Sequence, residues 1–191
     1  NGKHFPGDLE KIPGLVWKSE GVIRSNQPFL APDIDSLGIP LWEMMHPKDY
    51  RTPKIPGATK TYNSAPIIVT RGCSASCTYC AAFKISGKAV RSRTSASVLS
   101  EIKMLYNKYD VRHLFFMDTR FMQKTDVVAE ICEGILKHTM DIAWDCVGYE
   151  DLSALNVDIL NLMKKAGCVF INMGIESGSE RIRRRIKKMG E

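Results

Sequence analysis

The chain has 191 residues, 44% hydrophobic and 25% charged, with a net charge of +6. Its mean hydropathy of -0.17 excludes a disordered or collagen-like chain, and no apolar run approaches a transmembrane span. The length is short for a closed (β/α)8 barrel, which takes about 250 residues.

In chain order, the first feature is the placement of proline. All nine prolines lie between Pro6 and Pro66. Residues 1 to about 63 therefore read as an extended, turn-rich connector, because proline blocks helix and central-strand continuation. The apolar Leu15, Val16, Trp17, Phe29, Leu30, Leu37, Leu41 and Trp42 predict that it packs on something. A short amphipathic helix is expected around Pro40 to Met45. From residue 64 to 191 the pattern becomes strand and helix in alternation. Strands are expected at Ala65–Thr70, His113–Met117, Asp141–Val147 and Val169–Ile175. Helices are expected at Ser95–Tyr109, Thr125–Thr139, Ser153–Ala166 with Gly167 as its C-cap, and Glu180–Met189. Such alternation predicts an α/β fold of about four βα units on a parallel sheet. Four parallel strands cannot close on themselves, so an open edge should follow the fourth.

Three of the six cysteines crowd into Cys73-Ser-Ala-Ser-Cys77-Thr-Tyr-Cys80, directly after the first strand of this series. A single loop with spacing x3 then x2 can wrap three soft sulfurs around one iron–sulfur cube. A [4Fe–4S] cluster normally takes four Cys, so three would leave one iron open to a ligand. A structural zinc also takes four ligands, and no fourth Cys or His lies near in sequence. Cys132, Cys146 and Cys168 fall on helix or strand patterns and read as core residues. His113 opens a buried strand and His138 ends a helix, so neither reads as a ligand. Trp144 would line the sheet's inner face or fill the core. Arg181, Arg183, Arg184, Arg185, Lys187 and Lys188 form a basic run. Without interleaved aromatics it reads as a solvated helix face, with a phosphate or nucleic-acid patch as the alternative.

The C-x3-C-x2-C loop with Tyr79 before the last cysteine, opening a βα series, resembles the radical S-adenosylmethionine superfamily. The resemblance runs from about residue 65 to the end and implies a partial barrel of the (β/α) type. It implies a [4Fe–4S] cluster on Cys73, Cys77 and Cys80, with S-adenosylmethionine chelating the open iron. Reductive cleavage would then give methionine and a 5′-deoxyadenosyl radical. No catalytic residue is implied beyond the cluster. Tyr79 would pack near the adenine. Asp118, at the end of the second strand, would bind the cofactor's amino group, although Thr119 stands where relatives show a second acid. A turn cap is the competing role for Asp118. Glu176, flanked by Gly174 and Ser177, would accept the ribose hydroxyls, against a helix-capping role for Glu176 and Ser177. Arg91 and Arg93 would pair with the cofactor carboxylate or stand in solvent.

The first region also resembles a connector. Leu9 to Lys18 with Ile12-Pro13-Gly14, then Asn26-Gln27-Pro28, then Asp33 to Pro40 is similar to the segment joining a cobalamin-binding domain to the radical domain. Cobalamin, held by a domain before Asn1, is the third cofactor this implies. The activity it implies is radical methyl transfer or related C–H functionalisation. The expected partners are a small-molecule substrate and an electron donor such as flavodoxin or ferredoxin, in the cytoplasm, with nucleic acid less expected. The rival readings are a methylthiotransferase acting on tRNA or a ribosomal protein, and a zinc-stapled binding module without catalysis.

Overall fold

The computed structural model describes residues 8–50, 62–148 and 156–188. The chain forms two compact units, Asn1–Pro32 and Asp33–Glu191.

In the first unit, β1 (Val16–Ser19) pairs antiparallel with β2 (Val22–Ser25). The turn between them is Glu20-Gly21, both at positive φ, the conformation that matches the twist of a two-residue hairpin. Asn26 Nδ2 donates to the carbonyls of Leu9 and Ile12, each at 2.7 Å. The proline-based reading foresaw turns here but not a hairpin.

The second unit holds the βα series. Its elements are β3 (Asn63–Ile67), β4 (Thr70–Arg71), α1 (Ala82–Ser86), β5 (Arg91–Ser92), α2 (Ser95–Lys108), β6 (Val111–Phe116), α3 (Thr125–Lys137), β7 (Ala143–Val147), α4 (Val157–Lys165), β8 (Cys168–Asn172) and α5 (Glu180–Arg185). Strands β3, β6, β7 and β8 lie side by side in that order, all parallel. This is the predicted α/β arrangement of four parallel strands, a partial (β/α) barrel. The ends predicted at Ser153 and Met189 lie outside the described residues.

Register divides the sheet into two faces. Ala65 and Ile67 lie beside Leu114 and Phe116, which lie beside Trp144 and Cys146. All six are buried. They form one core with Val98, Ile102 and Leu105 of α2, Val128, Ile131 and Ile135 of α3, and Met163 of α4. Trp144 fills this core instead of lining the opposite face, and its Nε1 donates to Ala166 O at 2.8 Å. Phe116 and Phe121 meet it edge to face, with ring centroids 5.2 and 5.8 Å from the indole. The opposite face carries Ser64 and Pro66, His113 and Phe115, and Asp145, beside Phe170 of β8.

Two expectations change. The strand predicted over Ala65–Thr70 breaks after Ile67, and Thr70–Arg71 pairs antiparallel with Arg91–Ser92. The break is held by Asp118, as described below. The helix expected at Pro40–Met45 is a turn, and the short 3-10 helix nearby covers Pro47–Asp49. Six residues between Pro40 and Pro47 cannot repay helix nucleation. Instead Trp42 is anchored from outside: its Nε1 donates to Glu101 Oε1 of α2 at 2.9 Å. Residues 33–50 thus belong with the sheet unit.

Candidate functional site

The loop carrying Cys73, Cys77 and Cys80 follows β4, at the carboxyl end of the parallel strands, where barrel folds gather their reactive groups. Gly72 starts it at φ +110°. A Cβ there would collide with the Ala89 carbonyl, so only glycine lets the two backbones pass. Cys73 N then donates to Gly87 O at 3.0 Å, and Cys80 N to Cys77 O at 3.1 Å. Cys73 and Cys77 are buried and Cys80 is half-buried; all three are free thiols. Ala82 N donates to Cys80 Sγ at 3.4 Å, a contact that favours a charged sulfur.

Among the described residues, no three His, Cys, Asp or Glu side chains converge closely enough to hold a single metal ion. A single zinc, with bonds of about 2.3 Å to each sulfur, requires such convergence. A multi-iron cube does not, because each thiolate meets a different iron. Three soft thiols are the donor type an iron–sulfur cluster takes. The remaining cysteines differ in kind. Burial pushes the Cys132 thiol up to about 12. Cys146 is raised by its hydrogen bond to Cys168 and by burial. Both lie in the core, as expected, and Cys168 borders it.

The cysteine loop docks on the last helix: Thr78 N donates to Ile186 O at 3.0 Å. This brings Tyr79 to the loop after β8. Its phenol, held above its usual value by desolvation against the pull of Lys188, meets both the Lys188 ammonium and the Glu176 carboxylate. Lys188 Nζ lies 3.4 Å from Glu176 Oε1. Glu176 sits at φ +63°, a left-handed conformation that non-glycine residues rarely hold. At Gly174 an added Cβ would come within 2.9 Å of Glu176 Oε1, so the missing side chain keeps room for the carboxylate. Ser177 Oγ accepts from Ser179 N at 3.1 Å, and Ser177 O accepts from Arg183 Nη1 at 2.7 Å. Ser177 thus shapes the turn into α5. Beside Cys73, Ser74 Oγ accepts from Arg120 Nη1 and Gln123 Nε2 at 3.2 and 3.0 Å.

Two predicted cofactor residues are placed otherwise. Asp118 is buried, and its carboxylate accepts from Val69 N, Thr70 N and Thr70 Oγ1. Burial raises its pKa. With its oxygens committed to the strand break, it acts as the turn clamp that was the competing reading. Arg93 is also buried. It donates to Glu101 Oε2 at 2.5 Å, to Ile68 O at 3.2 Å and to Ser97 Oγ at 3.0 Å. Its donors hold α2 to the strand edge, and at 6% exposure it does not stand in solvent. Conversely, sequence reasoning passed over Lys188, which it placed in a solvated basic run. Within that run, Arg184 pairs with Glu180 at 2.5 Å, while Arg181, Arg185 and Lys187 are exposed.

On the sheet face away from the helices, Ser64 Oγ lies 3.3 Å from His113 Nδ1, and His113 Nε2 lies 3.2 Å from Asp145 Oδ2. Burial lowers His113 to about 4 and raises Asp145 to about 6. His113 is fully buried, as its strand position predicted, and stays neutral.

A family model described as the Radical SAM superfamily matches residues 67–191. An uncharacterized methyltransferase of Pyrococcus horikoshii is 26% identical over 92% of this chain and 36% of its own length. A putative methylthiotransferase of Methanocaldococcus jannaschii is 29% identical over 97% of this chain and 40% of its own. Among solved structures, the cobalamin-dependent S-adenosylmethionine radical enzyme OxsB, with aqua-cobalamin and S-adenosylmethionine bound, superposes with a TM-score of 0.65. It is 20% identical over 96% of this chain and 27% of its own, a likeness of fold. The chain thus spans two-fifths or less of each of these proteins. Among the described residues, no helix is long and apolar enough to cross a membrane.

Proposed function

The chain belongs to the radical SAM superfamily, and on that premise we propose that it carries the cluster half of a radical S-adenosylmethionine enzyme of the methyltransferase type. The observation that carries the reading is the three-thiol loop at the carboxyl end of a parallel sheet. Cys73, Cys77 and Cys80 would hold a [4Fe–4S] cluster with one iron left to S-adenosylmethionine. When bound, the cluster supplies the electron that cleaves the cofactor to methionine and a 5′-deoxyadenosyl radical. The Ala82 N–H at Cys80 Sγ steadies negative charge on the sulfur. Gly72 and the Asp118 clamp fix where the loop leaves the sheet. Glu176 would accept the ribose hydroxyls in the space beside Gly174, with Tyr79 packed against the adenine. Ser177 keeps that turn in shape through its bonds to Ser179 and Arg183. Cobalamin, which the OxsB structure holds, would be held outside this chain. A small-molecule substrate and a flavodoxin- or ferredoxin-type donor complete the reading, and the cytoplasm is its setting.

The test is anaerobic reconstitution followed by metal and sulfide analysis and a dithionite-driven assay for 5′-deoxyadenosine. About four iron and four sulfide per chain are expected, falling together in the Cys73→Ala, Cys77→Ala and Cys80→Ala variants. Zinc without iron or sulfide would sink the proposal. A methylthiotransferase is the second reading, supported by the Methanocaldococcus jannaschii relative. The exposed Arg181, Arg185 and Lys187 would then face RNA, and a sulfur-bearing product would distinguish it.

A further inference from the structure

Along the sheet face away from the helices runs a cavity of about 850 Å³, within the range of small-molecule sites. Pro66 of β3 with Ile68 just beyond it form one wall, Phe115 of β6 with Met117 just beyond it a second, and Trp42 and Met45 of the connector a third. Among the described residues the lining is apolar apart from a few groups, and these differ in what they leave unmet. Arg93 and Glu101 reach it but neutralise each other at 2.5 Å. Ser64, at one end, is tied to His113. Arg71 also lines the cavity, two residues before Cys73. Among the described residues its guanidinium has no hydrogen-bond or ion-pair partner. Its cross-strand neighbour in the β4–β5 ribbon is Arg91. Like charges directly opposite on paired strands repel, and Arg91 turns away to donate to Ser86 O at 2.5 Å. Arg71 therefore gives the lining a positive charge.

We propose that this cavity binds an elongated amphiphile, with its apolar body along β3 and β6 and a carboxylate on Arg71. A guanidinium matches the two oxygens of a carboxylate in a parallel pair of hydrogen bonds. The volume also fits: a space of about 850 Å³ takes an occupant larger than a small acid. The carboxylate end lies nearest the cysteine loop in the chain. The amphiphile's standing as a substrate rests on the radical reading above, but its binding does not.

Calorimetry with dodecanoate, dodecan-1-ol and dodecyltrimethylammonium, each below its micelle concentration, tests the proposal on reconstituted and on cluster-free protein. Dodecanoate should bind at least about tenfold more tightly than the alcohol, which corresponds to about 1.4 kcal/mol, and the ammonium compound more weakly than both. Arg71→Gln should bring dodecanoate down to the level of the alcohol and leave the alcohol unchanged. Ile68→Trp should fill the cavity and weaken both, with the melting temperature of each variant measured alongside. Equal binding of acid and alcohol overturns the proposal. So does an Arg71→Gln variant that keeps the preference, or a cavity already closed to all three probes by another segment of protein. Formation of 5′-deoxyadenosine is followed in the same preparations. Loss of the preference with cleavage intact refutes the cavity alone, and loss of cleavage with the preference intact refutes the radical reading alone.

Discussion

Glu101 is 1% exposed and Arg93 6%, so their ion pair offers a sharp test of what ties the connector to the sheet. Glu101 Oε2 accepts from Arg93 and Oε1 from Trp42. Glutamine at this position has one acceptor and one donor. Whichever way its amide turns, its NH2 faces either the guanidinium or the indole N–H. Removing one partner of a buried ion pair costs about 3–5 kcal/mol. Arg93 keeps Ser97, Ile68 O and Asp35, the last at 3.6 Å, which places Glu101→Gln at the low end, about 3 kcal/mol. In a chain of this length, that lowers the melting temperature by roughly 6–12 °C. Replacing both partners, Arg93→Met with Glu101→Leu, should cost much less than the single change, because no charge is left buried. Urea unfolding followed by tryptophan fluorescence measures all three proteins. A cost below about 1 kcal/mol for Glu101→Gln, or a double variant as unstable as Glu101→Gln, would refute the assignment.

Gly72→Ala should displace Cys73 by driving the β4–β5 ribbon apart, costing at least about 2 kcal/mol and more than half of the iron taken up on reconstitution; unaltered iron content would show that the loop tolerates the Cβ. The facing pair His113 and Asp145 predicts a compensated pH response. His113 falls from 6.5 to about 4 on folding, so its contribution is present above pH 6.5 and lost as pH falls through 4. Asp145 rises from 3.8 to about 6, so its contribution is present below 3.8 and lost as pH rises through 6. Their slopes oppose each other between about pH 4 and 6, and the stability of the native chain should be nearly flat there. Asp145→Asn should expose the histidine slope of up to about 1.4 kcal/mol per pH unit in urea midpoints taken across that range. A variant as flat as the parent would contradict the pairing.

The sequence was legible wherever the deciding contacts are local or periodic. The stripe Val128, Ile131, Cys132 and Ile135 announces the buried face of α3, and each is 1% exposed. The Gly167 stop and the cysteine spacing need no distant partner to be recognised. What escaped depends on partners far along the chain. Asp118 carries the residue type of a ligand binder, and nothing nearby in sequence shows that Val69 and Thr70, almost fifty residues back, consume its polar groups. Trp42 looked like part of a short helix because its real partner lies 59 residues away. Lys188 closes a run of cations that is indistinguishable from a solvated face until the loop after β8 folds back beside Tyr79. Charge in a sequence thus shows what a residue can do, whereas its role depends on which neighbour reaches it first.

The backbone at residue 176 sets stability against function. A left-handed conformation costs a residue with a Cβ about 1–2 kcal/mol, and its ion pair with Lys188, half open to water at 3.4 Å, repays little of that. Glycine there would relax the turn and raise the melting temperature, yet it would delete the carboxylate proposed to hold the ribose. A screen for thermostable variants would therefore favour the change that empties the site, and engineering of this fold for heat resistance should leave that position out.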